Sequence, residues 1–268
     1  MVLTAVPKSI GFIYALAMIL LLGYLWHSGR WKKKMGWLLL ITSAALGFLI
    51  FSPVAPWQFQ QLVLRDVQGL GAPLVAGAVG LMIVLLLTVV FGRFFCGYLC
   101  PAGAVQEIAY LAPVPKVRPL RKTLFQAIRA IVFLVFLFMA FALSASLLAW
   151  FGIRDFFFLV ISAGSIVFLV TLLISLAFYR PFCRLVCPYG VLLSLGAIPG
   201  LFKIRRTDAC IECGKCERAC PTDEAKRGDA KAECYLCGRC TDVCPKEGAL
   251  RYVRHQKAGA PSVKGAEE

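Results

Sequence analysis

All twelve cysteines of the chain fall in motifs. Eight lie between positions 210 and 244 as two copies of C-x2-C-x2-C-x3-C-P: Cys210, Cys213, Cys216 and Cys220, then Cys234, Cys237, Cys240 and Cys244. Three thiolates at x2 spacing, with a fourth set before proline, are what two [4Fe–4S] clusters need, and in two-cluster modules the fourth cysteine of each run serves the other cluster. The expected ligand sets are therefore Cys210, Cys213, Cys216 and Cys244, and Cys234, Cys237, Cys240 and Cys220. Zinc knuckles pair their cysteines, and disulfide frameworks belong to small secreted domains, so neither accounts for the spacing. Gly214 and Gly238 let the backbone approach inorganic sulfur, where N–H donors tune the potential. The links between the runs are short and polar, so clusters rather than an apolar core would hold this lobe together.

The other four cysteines form an internal repeat, Phe95-Cys96-x3-Cys100-Pro101 and Phe182-Cys183-x3-Cys187-Pro188. Such spacing puts two thiols one α-helical turn apart on one face. Proline directly after the second cysteine suits the first position of a new helix, whose dipole would hold Cys100 and Cys187 as thiolates of lowered pKa. Four thiolates brought together would fit one more [4Fe–4S] cluster, a Cu(I) site or a pair of redox-active dithiols. Buried, inert cysteines are the plain alternative. Spacing alone does not choose among them.

The surrounding chain must place these motifs at a membrane. Of 268 residues 60% are hydrophobic, and the mean hydropathy of +0.78 lies outside the range of a soluble domain. Apolar runs at 10–26, 36–51, 74–92, 125–150 and 156–179 predict five spans, while 189–202, broken by Pro199, predicts an interfacial or re-entrant helix. The net charge of +15 does not mark a nucleic-acid binder, because the basic residues cluster at the ends of the spans. Arg30, Lys32, Lys33 and Lys34 follow the first span, and Lys116, Arg118, Arg121 and Lys122 follow the third. Both loops, and the cysteine-rich lobe, are expected on the cytoplasmic face of a bacterial inner membrane, with an uncleaved first helix whose N-terminus lies outside. The two histidines, His27 and His255, cannot supply the paired axial ligands of a cytochrome b core.

The expected fold is thus an α-helical membrane bundle of about five transmembrane helices with a small α+β two-cluster ferredoxin lobe. The expected boundaries are a membrane domain over 1–205 with its motifs at 96–101 and 183–188, a ferredoxin domain over 206–252 and a disordered tail over 253–268. With these motifs in hand, the chain resembles the NapH-type membrane components of periplasmic reductase systems and the related MauN-type proteins, most closely from Leu74 to Pro245. NosR-type proteins and assembly factors for copper-containing oxidases share the architecture but carry large extra domains that this chain lacks. The resemblance implies quinol oxidation and electron delivery toward a periplasmic iron–sulfur or cytochrome partner. It also implies metal or cluster ligands at Cys96, Cys100, Cys183 and Cys187.

The leading expectation is an electron-transfer protein that passes electrons between the quinol pool and a redox partner protein: an iron–sulfur protein, cytochrome or reductase. Candidates for the quinone site are Arg93, His27, Glu107 and Arg180, polar groups at the inner membrane face where an ionisable side chain could take a quinol proton. Tyr98 and Trp31 are expected to be interface anchors. The rival reading is a maturation factor in which the C-x3-C-P thiols handle copper. A cluster-based sensor is a third reading, weakened by the lack of an output domain. Dinucleotide and phosphate-loop fingerprints do not occur, which argues against NADH or flavin binding.

Overall fold

The computed structural model describes residues 8–50, 55–117 and 122–254. The expected tail falls mostly at 255–268, outside the described residues, as does His255. The membrane part begins with α1 (Lys8–His27), α2 (Lys33–Ile50), the short α3 (Ala55–Val63) and α4 (Val67–Leu70), and α5 (Leu74–Phe91). A π-helical turn, Phe95–Leu99, leads into α6 (Pro101–Tyr110), and α7 (Lys122–Ala142) is followed by the short α8 (Leu147–Trp150) and α9 (Ile153–Phe157). The long α10 (Ala163–Ser175), a second π-helical turn, Phe182–Val186, and α11 (Pro188–Ala197) complete it.

Three stretches, Ile10–His27, Leu74–Phe91 and Lys122–Ala142, are long and apolar enough to cross a membrane. Their outward faces are apolar too: Ile13, Val75 and Phe138 are each more than 60% exposed, which only a lipid environment makes favourable. The other two expected passes fall on α2, which opens with two lysines, and on α10, which has 13 residues. The fourth and fifth runs begin and end differently from the sequence expectation, for local reasons. After α7 the backbone turns left-handed at Ser144 (φ 49°), which stops the helix well before Trp150. Ser162 then builds a capping box with Ser165, accepting its N–H at 3.1 Å while the Ser165 hydroxyl accepts the Ser162 N–H at 2.9 Å, so α10 starts at Ala163 rather than at 156.

The lobe hangs between two strands. β1 (Phe202–Arg206) pairs antiparallel with β2 (Leu250–Arg254), Ile204 opposite Tyr252, and the 43 residues between them carry the eight cysteines and two one-turn helices, α12 (Lys215–Ala219) and α13 (Arg239–Asp242). The sequence leads one to expect a lobe without a core of its own. In the structure it borrows one: Ile204, Tyr235, Leu236 and Tyr252 join the same buried cluster as Trp26, Leu81 and Phe94 of the membrane helices. Polar contacts fix the seat, with the Tyr252 hydroxyl donating to the Phe91 carbonyl at 2.7 Å and the Leu201 N–H to the Val89 carbonyl at 2.9 Å. Both described basic segments meet the lobe at this end, through Lys33 to Asp242 (3.4 Å) and Lys122 to Glu224 (2.8 Å). Tyr98 and Trp31, expected at the lipid interface, pack inside this seam, the rings 5.2 Å apart and the Tyr98 hydroxyl donating to the Leu236 carbonyl.

Away from the lobe, Gln60 of α3 is fully buried and accepts the N–H of Leu148 at 2.7 Å while its amide reaches the Ser146 hydroxyl. Replacing it by leucine keeps the volume but leaves the Leu148 N–H without a partner. Gln60→Leu should lower the unfolding free energy in detergent by about 1–3 kcal/mol, read from denaturant midpoints.

Candidate functional site

Each C-x3-C-P motif is built the same way, and not as one α-helical face. A helix ends, an arginine follows, and the backbone widens into a π-helical turn whose last bond runs from Cys100 N to Phe95 O (2.8 Å) or from Cys187 N to Phe182 O (2.9 Å). Cys100 and Cys187 are then extended and cap the next helix, with Pro101 and Pro188 at its first position as expected. The two thiols of a motif therefore do not share an α-helical face. One lies in a wound turn, the other at a helix N-terminus. Turns of this kind concentrate at functional sites because they re-aim side chains within a helix.

The two motifs meet. All four thiols, of Cys96, Cys100, Cys183 and Cys187, are buried and lie close enough to influence one another's charge. The helix N-terminus was expected to lower the pKa of Cys100 and Cys187. Burial wins: it pushes both thiols up, the neighbouring sulfurs add to the effect, and the N–H groups of Gly103 and Gly190 offset only part of it. Gln106 ties the halves together, its amide N–H reaching Cys183 Sγ at 3.3 Å and its oxygen accepting the Phe182 N–H at 3.0 Å.

The arginine that precedes each motif reaches across to the other. Arg180 donates to the carbonyls of Cys96 and Gly97, the latter at 2.7 Å, and Arg93 donates to the Gly190 carbonyl (3.4 Å) and the Ser194 hydroxyl (2.9 Å). Both guanidiniums are fully buried. Between them lies the Tyr235 ring, 4.4 Å from the Arg93 guanidinium carbon and 4.8 Å from that of Arg180. Tyr235 sits between Cys234 and Cys237, so the cysteine loop of the lobe is wedged into the arginine pair of the membrane domain.

Two carboxylates complete the platform. Glu107 binds Arg180 Nε at 2.8 Å and Arg239 Nη2 at 2.5 Å, and Glu233 binds Arg129 at 3.1 Å and Arg184 at 3.3 Å. Burial would raise the Glu107 pKa, but the Arg180 and Arg239 guanidiniums outweigh it and hold the carboxyl below its usual range.

Four residues had been read as one quinone site, and the structure separates them. Arg93 and Arg180 are fully buried inside the clamp, Arg93 donating to the Gly190 carbonyl, the Ser194 hydroxyl and Cys96 Sγ and Arg180 to Glu107 and the carbonyls of Cys96 and Gly97. Glu107 lines a cavity walled by Trp31, Trp37, Tyr98 and Cys237. His27 stands at a different opening, its ring edge-on to Phe202 at 5.6 Å, beside Trp26, Arg251 and Tyr252. Sequence reasoning missed Tyr235, Glu233, Arg129, Arg184 and Arg239. Two signals were available: an arginine three residues before each motif, extending the repeat to R-x-F-C-x3-C-P-x-G, and the charge of Arg129 inside an apolar helix.

In the lobe the eight cysteines line two cavities. Cys210, Cys213, Cys216 and Cys244 face one, and Cys220, Cys234, Cys237 and Cys240 face the other, so the last cysteine of each run sits with the opposite run. Gly214 and Gly238 turn left-handed at φ 67° and 80°, each opening a one-turn helix that carries a cysteine of its own run. Burial pushes the Cys234 thiol up to about 12, so it gives up its proton to a metal rather than to water at neutral pH. Among the described residues no group of three or more His, Cys, Asp or Glu is set to hold a single metal ion. A cube of iron and sulfide spaces its four thiolates more widely than one ion does, and two walls of four cysteines fit that group.

A family described as "4Fe-4S binding domain" matches residues 74–119 and again 160–206, and a second family of the same description matches 204–223. The chain carries iron–sulfur binding domains. The first family thus covers each C-x3-C-P copy with the helix before it, which makes the repeat a duplicated unit. The chain is 30% identical over 153 residues to the uncharacterized protein MJ0750 of Methanocaldococcus jannaschii, covering 53% of this chain and 63% of that protein. It is 31% identical over 159 residues to MJ0749 of the same organism, covering 57% and 61%. Against YccM of Escherichia coli, whose name assigns it provisionally to electron transport, it is 29% identical over 170 residues, 56% of this chain and 48% of that protein. The chain therefore spans between 48% and 63% of the length of these relatives. No solved structure matches it.

Two outcomes follow from the clamp. A β-carbon at Gly97 would overlap the Tyr235 carbonyl, so Gly97→Ala should loosen the lobe by about 1–3 kcal/mol and expose its loops to limited proteolysis. Because Glu107 titrates below its unfolded value, its contribution is complete at neutral pH and is lost as the pH falls through the folded value. The groups facing it are Arg180, Arg239 and Tyr179, which stay in one protonation state through that range. Unfolding midpoints of the full chain and of Glu107→Gln should therefore differ most near neutrality and converge in acid.

Proposed function

We propose that this protein is a membrane-anchored electron carrier that passes single electrons between a lipid-soluble quinol or quinone and a protein partner, by means of two [4Fe–4S] clusters in its lobe. The observation that carries the reading is the pair of four-cysteine cavities with exchanged fourth cysteines. Cys210, Cys213, Cys216 and Cys244 would hold one cluster, and Cys234, Cys237, Cys240 and Cys220 the other. Bound there, the clusters supply reversible one-electron chemistry at a potential set by hydrogen bonds and burial.

The chain's own residues fit the task in three ways. Trp26, Trp31, Tyr98 and Tyr252 seat the lobe against the helix ends, which keeps the second cavity near the membrane edge. The first cavity faces outward: Cys213 and Ile211 are exposed, as a docking face for a partner requires. In this reading Glu107, at the cavity shared by Trp37 and Cys237, would take up a quinol proton and, paired with Arg180 and Arg239, would release it readily. Five passes are the topology in this reading, with α2 and α10 crossing a membrane thinned at their ends and the lobe in the cytoplasm. Its likeness to NapH- and MauN-type proteins and the name given to YccM point the same way.

The test is direct. In the full chain reconstituted in lipid vesicles, added quinol should bleach the visible absorbance of the clusters, or reduced clusters should reduce added quinone. Cys244→Ala and Cys220→Ala should each remove or alter one reduced EPR signal while leaving the other. Failure of both quinol and quinone to exchange electrons with loaded protein would overturn the quinone assignment.

A further inference from the structure

The membrane domain buries more positive charge around the C-x3-C-P cysteines than its carboxylates balance. Arg93, Arg129, Arg180 and Arg184 are all buried, and Arg239 joins Arg180 on Glu107, so five guanidiniums face the two buried carboxylates Glu107 and Glu233. Arg93 makes the imbalance concrete. It is fully buried, no carboxylate pairs with it among the described residues, its Nε has no partner, and the anionic candidate it reaches is Cys96 Sγ, 3.8 Å from Nη2. Arg129 and Arg184 likewise keep donors without partners. A desolvated charge is kept only where an opposite charge meets it, so this pocket is built for an anion.

Neutral thiols, or a pair of disulfides, would leave the surplus uncompensated. Among the described residues no group of three or more His, Cys, Asp or Glu is gathered at one point to hold a single metal ion. An oxidised cubane on four thiolates carries a net charge of about −2, the sign that the surplus of guanidiniums requires. Independently, the iron–sulfur family that matches 74–119 and 160–206 covers all four of these cysteines and ends before Cys210.

We propose that Cys96, Cys100, Cys183 and Cys187 hold a third iron–sulfur cluster of the cubane class, with the buried arginines as its fixed counter-charge. This rests on the reading of the lobe as a cluster carrier and adds a centre to it. Arg93 and Arg180 are then positioning residues that hold the two motifs together and stabilise the anionic centre, rather than contacts for a quinone. Tyr235, wedged between them and flanked by Cys234 and Cys237, joins this centre to the nearer cavity of the lobe.

The experiment is iron and acid-labile sulfide per chain on the anaerobically purified full chain, beside Cys96→Ser/Cys183→Ser. The expected result is about twelve irons falling to about eight. About eight in both would overturn the third centre and leave the lobe reading intact. Stoichiometric copper lost in the variant would also overturn it, and no iron in either would overturn both readings. If the double variant does not fold, EPR redox titration of the unaltered chain decides: three components support the proposal and two overturn it. Arg93→Gln should lower the midpoint potential of one component alone, and Arg93→Lys should restore it. A shift of every component together, or of none, would overturn the counter-charge role.

Discussion

The crossed pair of buried arginines is the constraint on which the rest of the architecture turns. Each emerges from the end of one helix, and each closes its hydrogen bonds on the neighbouring motif: Arg180 on the carbonyls of Cys96 and Gly97, Arg93 on that of Gly190. A guanidinium carries five donors in a fixed fork, and lysine in the same place would present one mobile charge. Two arginines can therefore fix the distance and the roll between the halves of a duplicated unit. Together with Gln106 they hold the two π-helical turns, and hence their four cysteines, face to face.

Burying so much charge is expensive, and the structure shows how the cost is met. Glu107 and Glu233 each take two arginines, and the aromatic faces of Tyr235, Tyr179, Tyr110 and Phe125 take the flat sides of the guanidiniums. These partners come from α6, α7 and the lobe loop as well as from the motifs. The platform thus knits the lobe to the membrane helices with polar contacts where an ordinary domain interface would use apolar ones. The lobe then needs no separate core, because Ile204, Leu236 and Tyr252 complete the one that the helices began.

Much of this was legible in the residues. The x2 and x3 cysteine spacing located the lobe, since thiolate geometry is local and leaves a periodic trace. Apolar runs located the helices, but not their ends: Ser144 and Ser162 stop and start helices through backbone conformation and a hydroxyl cap, which hydropathy does not register. Arg93 and Arg180 stood out in the sequence as polar groups near a membrane face, but their crossed contacts did not. Their role depends on which strand of chain crosses which, and that long-range fact leaves no mark beyond the shared offset from each motif. Tyr235 was invisible for the same reason, an aromatic in a cysteine loop whose partners lie more than fifty positions away.

The exchange of the last cysteine between the two walls of the lobe makes the pair a linked object. A fragment holding 210–220 lacks Cys244, and one holding 234–244 lacks Cys220, so neither half encloses a complete cavity. The first cavity is complete only once the second run has been folded back over it. The same topology sets its vulnerability. Cys244 belongs by sequence to one run and by position to the wall of the other, and its oxidation would open the outward cavity while pulling on the loop that closes the inner one. Damage at either fourth cysteine is therefore felt first in the cavity of the opposite run.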